Sequence, residues 1–193
     1  MVWTYSIVTK YVVSSSISCV LRYIRMFIEE LCFVDKNDAL DNVEKHAKVF
    51  LDKYGDSSLL LIHWETLFFS HKYSHQLLSD EFLKRNPGVA KEIDFDSVLG
   101  RAIKYKMEHF LCELLQIALD FDLDRKIKTK TLSALLSFYC ETGNTRAATE
   151  RIKKAVELDI PVDSASKSLY EHLISNSGIV SRLFAYFNMP RKT

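Results

Sequence analysis

Apolar residues between Thr131 and Asp163 recur at helical spacing in two separate runs. An apolar face that repeats at i, i+3, i+4 and i+7 is typical of an amphipathic helix. The first run has this spacing at Leu132, Leu135, Leu136 and Tyr139, and the second places Ala148, Ile152, Ala155 and Val156 on one face. We therefore predict two short helices that pack against each other, with the small Ala148 allowing close approach.

The residues between the two runs predict a tight turn. Gly143 follows the last apolar residue of the first helix, where a left-handed conformation costs glycine least. Asn144 or Thr145 can then cap the second helix. That helix is expected to end at Asp159, because Pro161 cannot continue it.

The same alternation of helix and turn extends along the chain. Apolar helical faces are predicted within residues 17–34, 38–54, 57–71 and 74–85 and again from residue 95 onwards, with Asp38 as a cap and with Gly55 and Pro87-Gly88 as closing turns. A shift of 37 residues superposes the apolar set at Phe95 on that at Leu132, and a shift of 35 superposes Gly143 on Gly178. A period near 35 indicates helical repeats, and no stretch alternates as a strand would, so we predict an all-α protein.

The best of these hairpins, residues 131–163, resembles one repeat of the pentatricopeptide (PPR) family. The resemblance lies in Cys140 and Gly143 at the turn, Ala148 in the second helix, and the closing DIPVD of residues 159–163. Asp159 stands where the family usually has glycine, and Pro161 lies one position early. The resemblance implies a right-handed superhelical array of about four to five hairpins over residues 17–190, with the first helices lining the concave face.

The resemblance also implies a function, the non-enzymatic binding of single-stranded RNA. In the PPR family one base-reading residue lies near the start of the first helix and the other is the last residue of the repeat. These positions correspond here to Ser133 and Asp163, a combination similar to family pairs that bind a purine, more often guanine. The following repeat would offer Ser168, and the preceding one Asp96 with Lys126.

Charge both supports and limits this interpretation. The formal net charge is only +1, from 26 basic and 25 acidic residues, which counts mildly against strong non-specific nucleic-acid binding. A basic cluster, residues 125–130, is expected in the connection before the best repeat, where Lys126, Lys128 and Lys130 could neutralise phosphates. A second cluster contains Arg151, Lys153 and Lys154. The alternative, an ordinary solvated helix end, stays equally open.

The beginning of the chain predicts a location. No acidic residue precedes Glu29, and the first residues are rich in serine, β-branched and aromatic residues, as in mitochondrial transit peptides. We therefore expect a mitochondrial targeting segment at residues 1–16, with residues 17–34 forming a first repeat helix. No uncharged apolar run reaches the length of about 18 residues that a membrane span requires.

Other chemistry is not favoured by the sequence. Asp120, Asp122 and Asp124 imitate the start of a calcium loop, but Arg125 and Thr131 replace the glycine and glutamate that such a loop needs. His63, His71 and His75 lack a further ligand, and Ser74 is expected to break their helix, so surface or capping histidines are the preferred interpretation. The four cysteines are scattered and predict free, buried thiols in a reducing compartment.

Two functions follow from these observations. No catalytic motif is found, and we expect neither an enzyme nor a cofactor or metal. The first hypothesis is RNA binding in mitochondrial transcript stability, processing or translation, with a protein partner in a mitochondrial ribonucleoprotein; it predicts that Lys126, Lys128 and Lys130 share a face with Ser133. The alternative is a helical-repeat scaffold subunit of an organellar complex, which predicts an exposed apolar groove there instead.

Overall fold

A computed structural model describes residues 19–176 of the chain. This part contains ten helices and no strand, which confirms the predicted all-α class. The chain divides into two units, Met1–Ile93 and Asp94–Thr193. The expected targeting segment, residues 1–16, lies outside the described residues, as does the end of the expected repeat array beyond residue 176. No helix within the described part is long and apolar enough to cross a membrane.

The first unit contains five helices within residues 19–93. They are α1 over residues 19–33, α2 Asn37–Tyr54, α3 Ser58–Phe68, α4 Tyr73–Arg85 and the short α5 Pro87–Glu92. Apolar residues of α1 form a core with residues from α2, α3 and α4, among them Ile28, Leu31, Leu40, Ile62 and Leu67. An ion pair between Arg25 and Glu65, at 2.6 Å, ties α1 to α3.

The second unit also contains five helices in its described part. They are α6 Phe95–Tyr105, α7 Glu108–Asp120, α8 Arg125–Glu141, α9 Thr145–Glu157 and α10 Ser164–Asn176. Helix α8 packs against all four of the others. Helices α6, α8 and α10 therefore form one layer, and α7 and α9 lie beside it in a second. The apolar face predicted for α8 is buried, since Leu132, Leu135, Leu136 and Tyr139 are each at most 1% exposed.

The turn that the sequence predicts in this unit is present. Gly143 has a left-handed φ of 69°, and the Asn144 side chain accepts a hydrogen bond from the backbone N–H of Ala147 at 3.1 Å. Asp122 and Asp159 also adopt left-handed conformations, with φ of 44° and 52°. Asp159 thus occupies a backbone conformation that glycine adopts at less cost.

Several expected boundaries are wrong. Helix α2 begins at Asn37, so Asp38 lies in its first turn and does not cap it. Helix α3 ends at Phe68, not at His71. Pro87-Gly88 does not close a hairpin but begins α5, with the proline at the position where its missing N–H costs least. Ser74 does not break a helix, because it lies within α4.

Candidate nucleic-acid interface

The basic residues 125–130 do not form a connection. They form the beginning of α8, which starts at Arg125 instead of Thr131. Asp124 is the N-cap of this helix, and its carboxylate accepts the backbone N–H of Lys126 at 2.6 Å. Cations at a helix N-terminus are unfavourable because they face the positive end of the helix dipole. The helix can extend through this segment only if other groups offset that charge.

Three carboxylates provide the offset. Arg125 donates to Asp159 at 3.3 Å, Lys128 pairs with Asp122 at 2.5 Å, and Lys130 pairs with Asp96. These partners come from the turn after α9, the turn before α8 and the first turn of α6. Lys126 has no ion-pair partner among residues 19–176. Because the pairs lie at the surface, each is worth at most about 1 kcal/mol and can exchange for other anions.

The helical register separates the lysines into two groups. At about 100° per residue, Lys126, Lys130 and Ser133 lie on one face of α8, at i, i+4 and i+7. Lys128 lies on the other side, where it pairs with Asp122. The expected alignment with Ser133 therefore holds for two lysines and is wrong for Lys128. We call these two lysines and Ser133, together with Asp163, which contacts Ser133 from the turn before α10, the α8 face.

Ser133 and Asp163, the two residues that the PPR resemblance pairs, are hydrogen-bonded to each other. The Ser133 hydroxyl donates to Oδ2 of Asp163, while Oδ1 accepts the backbone N–H of Ser166 at 2.7 Å. These two hydrogen bonds, the one from Ser133 first, lower the pKa of Asp163. Asp163 therefore stays ionised, caps α10, and connects that helix to α8. An ionised carboxylate can only accept hydrogen bonds, so the pair presents acceptors to solvent.

The corresponding positions of neighbouring repeats are arranged differently. Ser168 is exposed on α10, and its hydroxyl donates to the backbone carbonyl of Ser164 at 3.0 Å. Asp96, which was expected to read a base together with Lys126, instead accepts a hydrogen bond from Lys130. Within residues 19–176, neither Ser168 nor Asp96 therefore has a serine–aspartate hydrogen bond like that between Ser133 and Asp163.

A polar cluster that the sequence did not reveal joins α7, α8 and α9. Buried Tyr139 donates its hydroxyl hydrogen to Glu108 Oε1 at 2.7 Å, with Cys112 Sγ at 3.7 Å. Arg151 of the second basic cluster donates to the same sulfur at 3.3 Å. Burial raises the pKa of Tyr139 above its usual range, and the bond to Glu108 adds to this. Tyr139 and Arg151 lie 27 or more residues away in sequence from Glu108 and Cys112, so no local motif could have identified the cluster.

The first unit contains a serine–histidine–aspartate chain. Ser70 Oγ lies 2.9 Å from His75 Nδ1, and His75 Nε2 lies 3.2 Å from Asp35 Oδ1. The order of these three residues is that of a nucleophile, a general base and an orienting acid in a hydrolase active site. However, the imidazole of His75 is fully buried, whereas Asp35 is the exposed member. These two hydrogen bonds therefore connect the turn after α1 to the turn before α4. Lys72 strengthens this connection with an ion pair to Asp35 at 3.4 Å.

The expected surface position of the histidines is wrong for two of them, since His63 and His75 are buried and only His71 is exposed. No group of residues in the described part has the composition and proximity of a metal site. Among the cysteines, Cys32 is buried, and burial raises its pKa to about 11. Cys112 and Cys140 are partly buried. Cys19 is exposed, contrary to the expectation.

Comparison with known proteins finds no matching family model, no matching curated protein and no matching solved structure. The relation to PPR proteins therefore stays a prediction that rests on the residues of this chain.

Proposed function

We propose that the second unit binds single-stranded RNA through the α8 face, as one repeat of a PPR-type superhelical array. The observation that supports this most directly is the hydrogen bond between Ser133 and Asp163, on the same helix face as Lys126 and Lys130. The resemblance pairs these two residues as base readers, and the fold brings them together from positions 30 residues apart.

The groups on the α8 face have distinct tasks in this proposal. Lys126 and Lys130 neutralise phosphates, with Lys130 exchanging Asp96 for the RNA backbone. Asp163, held ionised, accepts hydrogen bonds from a base edge, and Ser133 fixes the carboxylate in place. The Watson–Crick edge of guanine offers two adjacent donors to such acceptors, so guanine is the preferred base. In the cell this binding would serve mitochondrial transcript stability, processing or translation.

A salt series of RNA binding tests the phosphate contacts. For single strands the slope of log K against log salt changes by about 0.7 per phosphate contact. We expect Lys126→Ala combined with Lys130→Ala to reduce the slope by about 1.4. The control is Lys128→Ala, which removes one positive charge from the other side of α8 and should leave the slope nearly unchanged, whereas Lys126→Ala or Lys130→Ala alone should each reduce it by about 0.7. Absence of binding at low salt by a folded, monodisperse protein would overturn the proposal.

A panel of RNAs that differ at one base tests the reading. Asp163→Asn keeps an oxygen that can cap α10 but adds donors, so it should reduce the preference for guanine without unfolding the unit. Ser175→Ala is the control on the neighbouring helix, because this exposed hydroxyl donates to the backbone carbonyl of Glu171 on the same helix. Equal affinity of the wild-type protein for all four bases would leave only backbone binding.

A second function, the protein–protein scaffold, is favoured by an observation in the first unit. The side of α1 that faces away from its core, together with the residue that follows the helix, carries a set of exposed large apolar side chains: Val20, Tyr23, Met26, Phe27, Phe33 and Val34. Tyr23 is 71% exposed and Phe33 is 79% exposed. Large contiguous apolar surfaces commonly mark interaction sites. A photo-crosslinking residue at position 27 should then capture one discrete protein in mitochondria, and the same residue at the exposed position 46 should not.

A further inference from the structure

Helix α1 is apolar on two sides. One side contributes Ile28 and Leu31 to the core of the first unit. The other side carries five large apolar residues that are each more than half exposed: Val20, Tyr23, Met26, Phe27 and Phe33. Each of the other described helices has at most two exposed residues of this kind. A helix that is apolar all round is normally buried, so the exposed side of α1 indicates a contact with another molecule.

The exposed residues follow the spacing of a seam between two helices. Val20, Tyr23 and Phe27 lie at i, i+3 and i+7, the pattern by which one helix of a coiled coil contacts its neighbour. Glu30 is exposed and continues this spacing seven residues after Tyr23, so one carboxylate lies within the apolar stripe. The occupant of this stripe is therefore expected to be another helix, with a hydrogen-bond donor opposite Glu30.

The area of this surface is close to what a stable dimer needs. A fully buried aromatic side chain contributes about 150–250 Å². The exposed parts of Tyr23, Phe27 and Phe33 correspond to about two such side chains, or about 400 Å² in each copy. Val20 and Met26, each just over half exposed, add to this area. Two copies that face each other therefore approach the total of about 1,200 Å² at which specific protein–protein interfaces begin.

The charges of α1 favour a second copy that runs in the opposite direction. The two arginines of the helix lie in its first half, and the two glutamates in its second half. Arg25 pairs with Glu65 of its own unit. Arg22 and Glu29 are both exposed and lie seven residues apart, so they flank the stripe on the same side. Parallel copies would bring like charges together, whereas antiparallel copies bring Arg22 to Glu29 of the partner subunit, twice.

We propose that α1 pairs antiparallel with α1 of a second copy in a two-fold symmetric dimer. With the two-fold axis between positions 26 and 27, the helices overlap along their whole length, about 22 Å. Tyr23 then donates its hydroxyl hydrogen to the partner's Glu30, and Met26 packs against the partner's Phe27. This inference rests on the second function proposed above, because it names a second copy as the occupant of the exposed side of α1. It does not depend on RNA binding at the α8 face.

Analytical ultracentrifugation of the full chain tests the dimer. We expect a concentration-dependent equilibrium between monomer and dimer. Phe27→Glu places a charge at the centre of the seam and should raise the dissociation constant of the dimer more than about tenfold, as the loss of a central aromatic side chain does. Circular dichroism should show an unchanged helix content, because residue 27 is exposed in the monomer. The control is Val49→Glu, which introduces the same charge at an exposed apolar residue of α2 and should dimerise as the wild type does.

A charge exchange tests the direction of the pair. Arg22→Glu and Glu29→Arg should each weaken the dimer by about fivefold, because each puts like charges together at two symmetric places. The double variant should regain the affinity of the wild type, since opposite charges meet again across the axis. The two residues lie two helical turns apart within one copy, so this recovery requires the second copy.

The exposed Cys19 reports on the same geometry. Antiparallel copies hold their Cys19 thiols at opposite ends of the pair, about 22 Å apart. A short bismaleimide should therefore cross-link Met26→Cys in a Cys19→Ser background but not the wild-type protein, with Cys19→Ser alone as the blank.

The proposal is overturned if the full chain is monomeric at every soluble concentration, if Phe27→Glu dimerises as the wild type does, or if the double charge variant stays as weak as the single ones. A cross-link between two Cys19 thiols would also overturn it. If a monomeric chain still cross-links through position 27 to a different mitochondrial protein, the scaffold function stands and only the second copy is wrong.

Discussion

His63 makes the first unit sensitive to acid. Its side chain lies on α3 and is 2% exposed, in ring contact with Phe82 at 5.4 Å, and its Nδ1 atom has no hydrogen-bond partner. Burial holds the pKa of His63 at about 4, below its ordinary value of 6.5. Asp41 and Glu44 act against this shift, while Arg85 adds to it. Burial is the largest of these causes.

The sign and size of the effect follow from linkage. Because the folded pKa is lower, the unfolded state binds the proton first as the pH falls. The stabilising contribution of neutral His63 is complete above pH 6.5 and is lost as the pH falls through 6.5 towards 4. Between pH 7.5 and 5.0 this loss is about 2 kcal/mol. Glu44, whose pKa is lowered to about 2 by hydrogen bonds that overcome its burial, adds little until the pH falls below about 4.5.

Replacement of His63 by leucine should remove this dependence. Urea unfolding of the full chain at pH 7.5 and 5.0 measures it, with the buried Trp64 as the fluorescent reporter in a Trp3→Phe background. The pH-induced loss of stability should decrease by about 2 kcal/mol in His63→Leu. The exposed His46, replaced by glutamine, is the matched control and should retain the full loss. If His63→Leu loses as much stability as the wild type, the buried imidazole is not the acid-sensitive group.

Three further predictions concern the second unit, each measured by urea denaturation of the full chain. Gly143→Ala should cost about 1 kcal/mol through its left-handed φ alone, since a Cβ there meets nothing within 4 Å; an unchanged midpoint would contradict this. Asp159→Gly should stabilise by up to about 1 kcal/mol, because its exposed ion pair is worth less than the relieved backbone conformation; destabilisation would reverse that ranking. Tyr139→Phe should cost about 1 kcal/mol, the value of its hydrogen bond to Glu108, and an equal stability would show that bond to be neutral.

The site was predictable in its local parts. The Gly143 turn, the Asn144 cap and the buried face of α8 depend on residues within one or two helical turns of each other, and all three were expected. The start of α8 shows the limit of such reasoning. Asp124 is a suitable cap, but four cations in the following six residues oppose a helix there. Asp159 and Asp96, each 34 residues from its partner, help to offset those charges.

The sequence by itself determined the all-α class and most of the helices and turns, because apolar periodicity and capping are local properties. Tertiary structure alone decided which distant side chains meet. It brought Ser133 to Asp163, buried His63 and His75, and assembled Tyr139 with Glu108. The physical reason is that these contacts depend on how helices pack against each other, and packing is a property of the whole unit that no short stretch of sequence contains.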